Sequence, residues 1–192
     1  SIIRERVPMP ASEFPIRYIE PVFRPPSEAH SLILPVTNGC SWNQCGFCEM
    51  YTQEQKRFRA RDESEVLEEI RRCGEQLIVQ RVFLADGDAL VLPTHRLLTI
   101  LRTIRENMPT VTRVSSYCLP RNLRRKSVAE LQELADAGLK MVYVGAESGD
   151  DEVLARVNKG ETYASTLDAL DKLGAAGITR SVQHIGGKRA YV

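Results

Sequence analysis

The sequence predicts an α/β fold built on parallel strands. Three observations carry this: short apolar runs alternate with stretches of helical period, capping signals sit at the joints between them, and polar residues follow four successive runs. The chain has 192 residues, 43% of them hydrophobic and 27% charged, the proportions of a one-domain globular protein. Lys and Arg total 26 against 25 Asp and Glu, a net charge of +1, so a global polyanion-binding role, and a nucleic-acid partner with it, is disfavoured. No apolar run approaches the ~20 residues that span a bilayer, and the N-terminus has no signal-peptide pattern. Neither a membrane partner nor export is therefore expected, and the reading is a cytoplasmic protein.

Residues 1–30 carry Pro8, Pro10, Pro15, Pro21, Pro25 and Pro26 with little periodicity, which predicts an extended lead-in that packs over something else. Residues 31–192 form the core domain. Its first strand is the run from Leu32 to Val36. A helix follows with Asp62 as N-cap and Glu65 three residues on, turning Val66, Leu67, Ile70 and Leu77 to one face. Val82 to Ala85 is the second strand, and a helix opens after Pro93 and Thr94 with Leu97, Leu98, Leu101 and Ile104 at helical spacing. Val111 to Tyr117 is the third strand. Ser127 with Glu130 makes a capping box for a helix through Leu131 and Leu134 that stops at Gly138. Met141 to Gly145 is the fourth strand, a short helix covers Asp151 to Val157, another runs from Ala164 to Ala176, and Ile178 to Ile185 is the fifth strand. Strands alternating with helices imply right-handed crossovers, in an open doubly wound sheet or part of a barrel. In both, chemistry belongs at the carboxyl ends of the strands, where the polar residues sit.

Three of the five cysteines, Cys40, Cys45 and Cys48, crowd into the loop after the first strand. Cys73 and Cys118 stand alone in helix-like and strand-like surroundings and read as small buried thiols. Three neighbouring thiolates can converge on one metal. A structural zinc site wants four ligands, and His30, His95 and His184 supply no pair at ligand spacing. An iron-sulfur cubane ordinarily takes one Cys per iron, so three local thiolates would leave one iron open to an exogenous ligand. A non-catalytic zinc-binding module remains the alternative.

The run Cys40-Ser-Trp-Asn-Gln-Cys45-Gly-Phe-Cys48, followed by Glu49-Met50-Tyr51, resembles the cluster loop of the radical S-adenosylmethionine (SAM) superfamily, with Phe47 as its aromatic before the last cysteine. The resemblance implies a 4Fe-4S cluster held by Cys40, Cys45 and Cys48, with S-adenosylmethionine on the fourth iron. It implies cleavage to methionine and a 5′-deoxyadenosyl radical that takes a hydrogen atom from a small-molecule substrate. It also implies an electron donor such as flavodoxin or ferredoxin, and a partial (β/α)6 TIM-like barrel. The spacing here is C-x4-C-x2-C, one residue longer in the first interval than the commonest pattern.

Further positions follow from the same resemblance. Asp86-Gly87-Asp88, which alone also reads as an Asp-Gly turn, falls where the family meets the methionyl ammonium, giving Asp88 that role and Gly87 close backbone approach. The segment from Gly145 to Gly160 resembles the coproporphyrinogen dehydrogenase, methylthiotransferase and Elongator-type groups, placing Glu147 near the nucleoside and Lys159 on the methionyl carboxylate. Arg156 competes with Lys159, which is also placed to complement a helix C-terminus. Ser115 and Ser116 match a ribose contact; period two lets only one of them face inward, and Ser116 is favoured. Tyr51 is a candidate for the adenine side or a core tyrosine. A tRNA-modifying member is a second alternative. The family barrel normally continues beyond a fifth strand, so the domain reads as C-terminally incomplete, with the fifth strand an unpaired edge through which copies associate.

Overall fold

The structure, a computed structural model, describes residues 14–20, 22, 24–39, 58–86, 89–145, 163–183 and 189–191. Its elements run β1 Leu32–Pro35, β2 Thr37–Asn38, β3 Arg59–Ala60, α1 Glu63–Gln76, β4 Arg81–Ala85, α2 Thr94–Asn107, β5 Arg113–Cys118, α3 Val128–Asp136, β6 Leu139–Gly145, α4 Tyr163–Ala175, β7 Thr179–Gln183 and β8 Arg189–Tyr191. The main sheet has the order β1-β4-β5-β6-β7-β8. Its first five strands are parallel, and β8 is antiparallel to β7. Each parallel pair is joined through at least one helix, so the architecture is an open α/β sheet matching part of a TIM-like barrel. The helix expected over residues 151–157 lies outside the described residues.

Local chemistry sets the helix starts. The Asp62 side chain accepts from the Glu65 amide at 3.2 Å, and Ser127 and Glu130 cap each other reciprocally, with Glu130 N donating to Ser127 Oγ at 3.1 Å. Thr94 lies inside α2, whose N-cap is Pro93 with no side-chain cap. α3 is followed by Gly138 at φ 126°, a left-handed region that a side chain resists. At Gly74 a Cβ would stand 2.2 Å from the Asn107 carbonyl oxygen, so α1 and α2 meet this closely only because that position is glycine.

Strand parity divides the core. Leu32, Leu34, Val82, Leu84, Val114, Val142 and Val144 pack beneath the helices with Val66, Ile70, Leu97, Leu101, Leu131 and Leu173. The alternate residues Phe83, Ala85, Met141 and Tyr143 form a second cluster on the opposite, concave face, with Ile33, Tyr117 and Val22 against it. Burial on both faces is what parallel sheets require. Phe83, Tyr117 and Tyr143 meet edge to face, with centroids 5.1 to 6.3 Å apart.

The lead-in covers part of that concave face. A 3-10 turn at Pro26–Glu28 delivers Glu28, fully buried, over β5 and β6. Its carboxylate accepts from Arg113 at 2.6 Å, Ser115 Oγ at 2.9 Å and Tyr143 OH at 2.7 Å, and from Ser31. A buried carboxylate is tolerated only when it is paired and hydrogen-bonded this fully.

The expectation of a bare edge on the fifth strand is corrected. Ser181, Val182 and Gln183 of β7 pair with Tyr191, Ala190 and Arg189 of β8. A three-residue strand carries no readable period and so leaves no signal in the sequence, and β8 rather than β7 is the outer strand among the described residues. No helix among the described residues is long and apolar enough to cross a membrane.

Two outcomes test the Glu28 network. Glu28→Ala leaves Arg113 and Tyr143 facing an empty buried position and lowers the unfolding free energy by about 3–5 kcal/mol in urea titration, with Glu28→Gln costing less. Burial, opposed by Ser27 and reinforced by Glu28, pushes the Tyr143 hydroxyl from 10.0 up to about 12. The unfolded chain then ionises first, so stability falls as pH rises from 10 to about 12, and Tyr143→Phe flattens that decline.

Candidate functional site

The carboxyl ends of β1 and β4 are tied together by their backbones. Their register aligns Pro35 with Ala85. The ladder continues past the strands: Val36 N donates to Ala85 O at 2.6 Å, and Asp86 N donates to the Thr37 carbonyl oxygen and to Thr37 Oγ1, both at 3.2 Å. β2 pairs antiparallel with β3, Thr37 opposite Ala60 and Asn38 opposite Arg59. The segment carrying Cys40, Cys45 and Cys48 therefore leaves the sheet at β2 and returns at β3, between two strands hydrogen-bonded to each other.

Asp86 closes this arrangement. Its side chain is fully buried, and Oδ2 accepts from the Gly39 amide at 3.0 Å. Gly39 has φ 75°, which turns the chain into Cys40 at a cost only glycine avoids. A hydrogen bond to a charged acceptor is worth about 1.5–3 kcal/mol, enough to hold the residue next to the first thiol. The returning chain is fixed as well. Arg61 donates to the Pro35 carbonyl at 3.0 Å and to the buried Glu69 at 2.6 Å, while its own carbonyl accepts from Arg96 at 2.8 Å. Glu69 also accepts from the Arg17 amide of the lead-in at 2.7 Å. Among the described residues a cleft of about 370 Å³ opens here, with Thr37, Asn38, Arg59, Asp62 and Asp86 on its walls.

Of the residues singled out from the sequence, Cys40, Cys45, Cys48, Phe47, Tyr51, Gly87, Asp88, Glu147, Arg156 and Lys159 lie outside the described residues. Ser116 is described, and its expected inward orientation is corrected. It pairs with Leu84 and Val142, both of the helix-covered face, and its hydroxyl donates to the Tyr117 carbonyl at 2.9 Å. Ser115 and Tyr117 occupy the concave phase instead, and Ser115 is engaged by Glu28. Period two allowed both phases, and the neighbouring strands chose between them.

The sequence reading passed over Asp86 and Glu28 as individual residues. Asp86 carries a signal, since it opens the polar run after the second strand, whereas the resemblance points to Asp88. Glu28 had none. Cys73 and Cys118 are buried thiols, and the Cys118 thiol donates to the Leu119 carbonyl at 3.0 Å. Burial pushes the Cys73 thiol up to about 12, which keeps it protonated and inert at neutral pH.

The model of the Radical SAM superfamily matches residues 34–189. The chain belongs to the radical SAM superfamily. The superfamily's cofactors are a 4Fe-4S cluster and S-adenosylmethionine. A hopanoid C-3 methylase of Methylococcus capsulatus is 26% identical over 152 residues, covering 78% of this chain and 27% of that protein. Among solved structures, the cobalamin-dependent S-adenosylmethionine radical enzyme OxsB, with aqua-cobalamin and S-adenosylmethionine bound, superposes with a TM-score of 0.66 at 20% identity, over 80% of this chain and 23% of that one. The radical S-adenosylmethionine methyltransferase TsrM of Kitasatospora setae, with cobalamin and a 4Fe-4S cluster bound, gives 0.61 at 21% identity, over 80% and 30%. The chain thus spans about a quarter of the length of these relatives, and the likeness to solved structures shows the radical SAM fold.

The residues of this radical SAM chain fit such a cluster. Three thiols share one segment, both ends of that segment are laddered to each other, and a buried carboxylate fixes the backbone next to the first thiol. Asp86→Ala frees the Gly39 amide, and the iron content after anaerobic reconstitution is expected to fall below half that of the unaltered protein. Asp86→Asn, which keeps one acceptor oxygen, falls between them.

Proposed function

We propose that this chain is the catalytic core of an enzyme that reductively cleaves S-adenosylmethionine and begins radical chemistry on a substrate. The observation that carries the reading is the coincidence of the family match with the three-cysteine segment, set between β2 and β3 at the carboxyl ends of the parallel strands. When bound, the cluster supplies the electron that splits the sulfonium into methionine and a 5′-deoxyadenosyl radical, which takes a hydrogen atom from the substrate.

The protein's own work is to hold and orient. Cys40, Cys45 and Cys48 supply the thiolates, and Asp86 holds Gly39 beside the first of them. Asp88 meets the methionyl ammonium, with Gly87 giving the backbone close approach. Lys159, or Arg156 one turn earlier, meets the methionyl carboxylate, and Glu147 stands by the nucleoside with Phe47 in the cluster segment. Tyr117, on the concave face at the end of β5, belongs to the wall of the same chamber. The floor beneath it is aromatic and dry, formed by Phe83 and Tyr143. Burial of this kind strengthens polar contacts above it and protects a radical from water.

A second reading concerns the longer polypeptide to which such a core belongs. The sequence relative is a methylase, and both solved structures described above carry cobalamin. This favours a cobalamin-assisted reaction, with the corrinoid bound outside the residues present here.

Anaerobically reconstituted protein is expected to hold about four irons per chain and no zinc, and to release 5′-deoxyadenosine from S-adenosylmethionine with dithionite. Cys45→Ala loses both properties. Zinc at stoichiometric level in place of iron would support the non-catalytic module instead, as would 5′-deoxyadenosine release undiminished in Cys45→Ala.

A further inference from the structure

Two phenols stand side by side on the concave face of the sheet. Tyr117 of β5 and Tyr143 of β6 are register partners, with ring centroids 6.3 Å apart and planes at 67°. Phe83 of β4 meets both, at 5.1 Å from Tyr117 and 6.3 Å from Tyr143, so the three rings form one contiguous aromatic group. Their surroundings differ. Tyr117, toward the carboxyl end of β5, is half-buried, whereas Tyr143 is buried.

Hydrogen bonding sets Tyr143 apart. A carboxylate only accepts, so the 2.7 Å bond between Tyr143 OH and Glu28 Oε1 is donated by the phenol, and Ser27 Oγ at 2.9 Å donates to the phenol oxygen. Packing alone would be served by phenylalanine, as it is at Phe83, without the cost of burying a hydroxyl and a carboxylate together. Burial pushes the Tyr143 hydroxyl up to about 12, so at neutral pH it keeps the proton that it points at Glu28. The distance lets that proton move without rearrangement. Glu28 in turn pairs with Arg113, whose side chain is 29% exposed. A proton arriving at Glu28 therefore leaves a positive charge on Arg113, which water reaches.

We infer that Tyr117 and Tyr143 form a hydrogen-atom relay that disposes of a carbon-centred radical left in the chamber without a substrate. The inference rests on the proposed reductive cleavage of S-adenosylmethionine, which is the source of that radical, a primary alkyl one. In the first step the Tyr117 O–H bond breaks homolytically and a C–H bond forms, giving 5′-deoxyadenosine and a phenoxyl radical on Tyr117. The phenolic bond is the weaker of the two, so the step runs downhill. In the second step an electron passes from Tyr143 to Tyr117, the Tyr143 proton moves to Glu28, and Tyr117 takes a proton from solvent on its exposed side. The radical ends on Tyr143, buried and away from water. A one-electron reductant of the kind that drives the cleavage restores the Tyr143 phenol, whose proton returns from Glu28.

The test places the full reconstituted chain in heavy water with S-adenosylmethionine and dithionite, and no other substrate, beside Tyr117→Phe, Tyr143→Phe and Glu28→Gln. The phenylalanine variants keep the rings in place. Mass spectrometry reads solvent deuterium in the 5′-deoxyadenosine, and freeze-quench electron paramagnetic resonance reads the phenoxyl, assigned with ring-deuterated tyrosine. A separate arm omits S-adenosylmethionine, oxidises the chain by ruthenium flash-quench and follows the phenoxyl decay by absorbance.

Deuterium in the product is expected to fall at least fivefold in Tyr117→Phe. In both arms the phenoxyl is expected to decay at least fivefold faster in Tyr143→Phe and Glu28→Gln than in the unaltered chain; where Glu28→Gln fails to fold, Tyr143→Phe decides the second step. Undiminished deuterium in Tyr117→Phe, or cleavage that leaves no phenoxyl, overturns the relay. So does a phenoxyl lifetime unchanged in Tyr143→Phe, since the pair then only packs. The expected flash-quench lifetimes without any cleavage leave the tyrosine pair standing as a radical sink and sink the proposed reaction.

Discussion

The rest of the site depends on a hydrogen bond between residues 47 positions apart, in which the buried Asp86 carboxylate accepts from the Gly39 amide. That bond exists because β1 and β4 run parallel in a register that sets Pro35 beside Ala85. A slip of one residue would turn Leu34 and Leu84 out of the helix-side core, so the hydrophobic pattern enforces the register. The polar contact then inherits its geometry from the apolar packing. The two strands specify where the cysteine segment begins, and β3 with Arg61 specifies where it returns.

The concave face follows a different rule. A barrel interior left open would expose Phe83, Met141 and Tyr143, yet all three are buried. Part of the covering comes from the lead-in, through Val22 and Glu28. Glu28 faces Arg113 near the amino end of β5 and Ser115 in its middle, whereas Tyr117 lies toward the carboxyl end. The lead-in thus fills the interior from below and leaves the carboxyl end to chemistry. This division gives a Pro-rich segment, with no element longer than one turn among its described residues, a structural role comparable to that of a helix.

What the sequence made legible was local or periodic. The Asp62 and Ser127 caps could be read because donor and acceptor lie three residues apart, and the helix stop at Gly138 because one residue type dominates left-handed backbone. The five parallel strands were legible as apolar runs between those signals. Contacts between distant residues were not: Glu28 meets Arg113, Ser115 and Tyr143 across 85 to 115 positions, and no local pattern marks it. Ser116 shows a subtler failure. Alternation revealed that Ser115 and Ser116 face opposite ways but not which way each faced, because both are small and polar. Only their partners Phe83 and Met141, or Leu84 and Val142, decide it. β8 escaped because three residues cannot establish a period.

The charge balance shows how a whole-chain sum can mislead about a surface. With 26 cationic and 25 anionic side chains the total is nearly neutral, and that excludes a molecule uniformly attractive to polyanions. It does not fix where the charges lie. Glu28 and Glu69 are buried, each spent on an arginine inside the fold, Arg113 and Arg61 respectively. Arg124 and Arg125 remain exposed on the turn after β5, where Lys172 donates to the Leu123 and Lys126 carbonyls. Folding therefore draws these two ion pairs inward and leaves Arg124 and Arg125 exposed on that turn. Because fields at a surface decay within about 10 Å at moderate salt, an approaching macromolecule senses that arrangement rather than the sum.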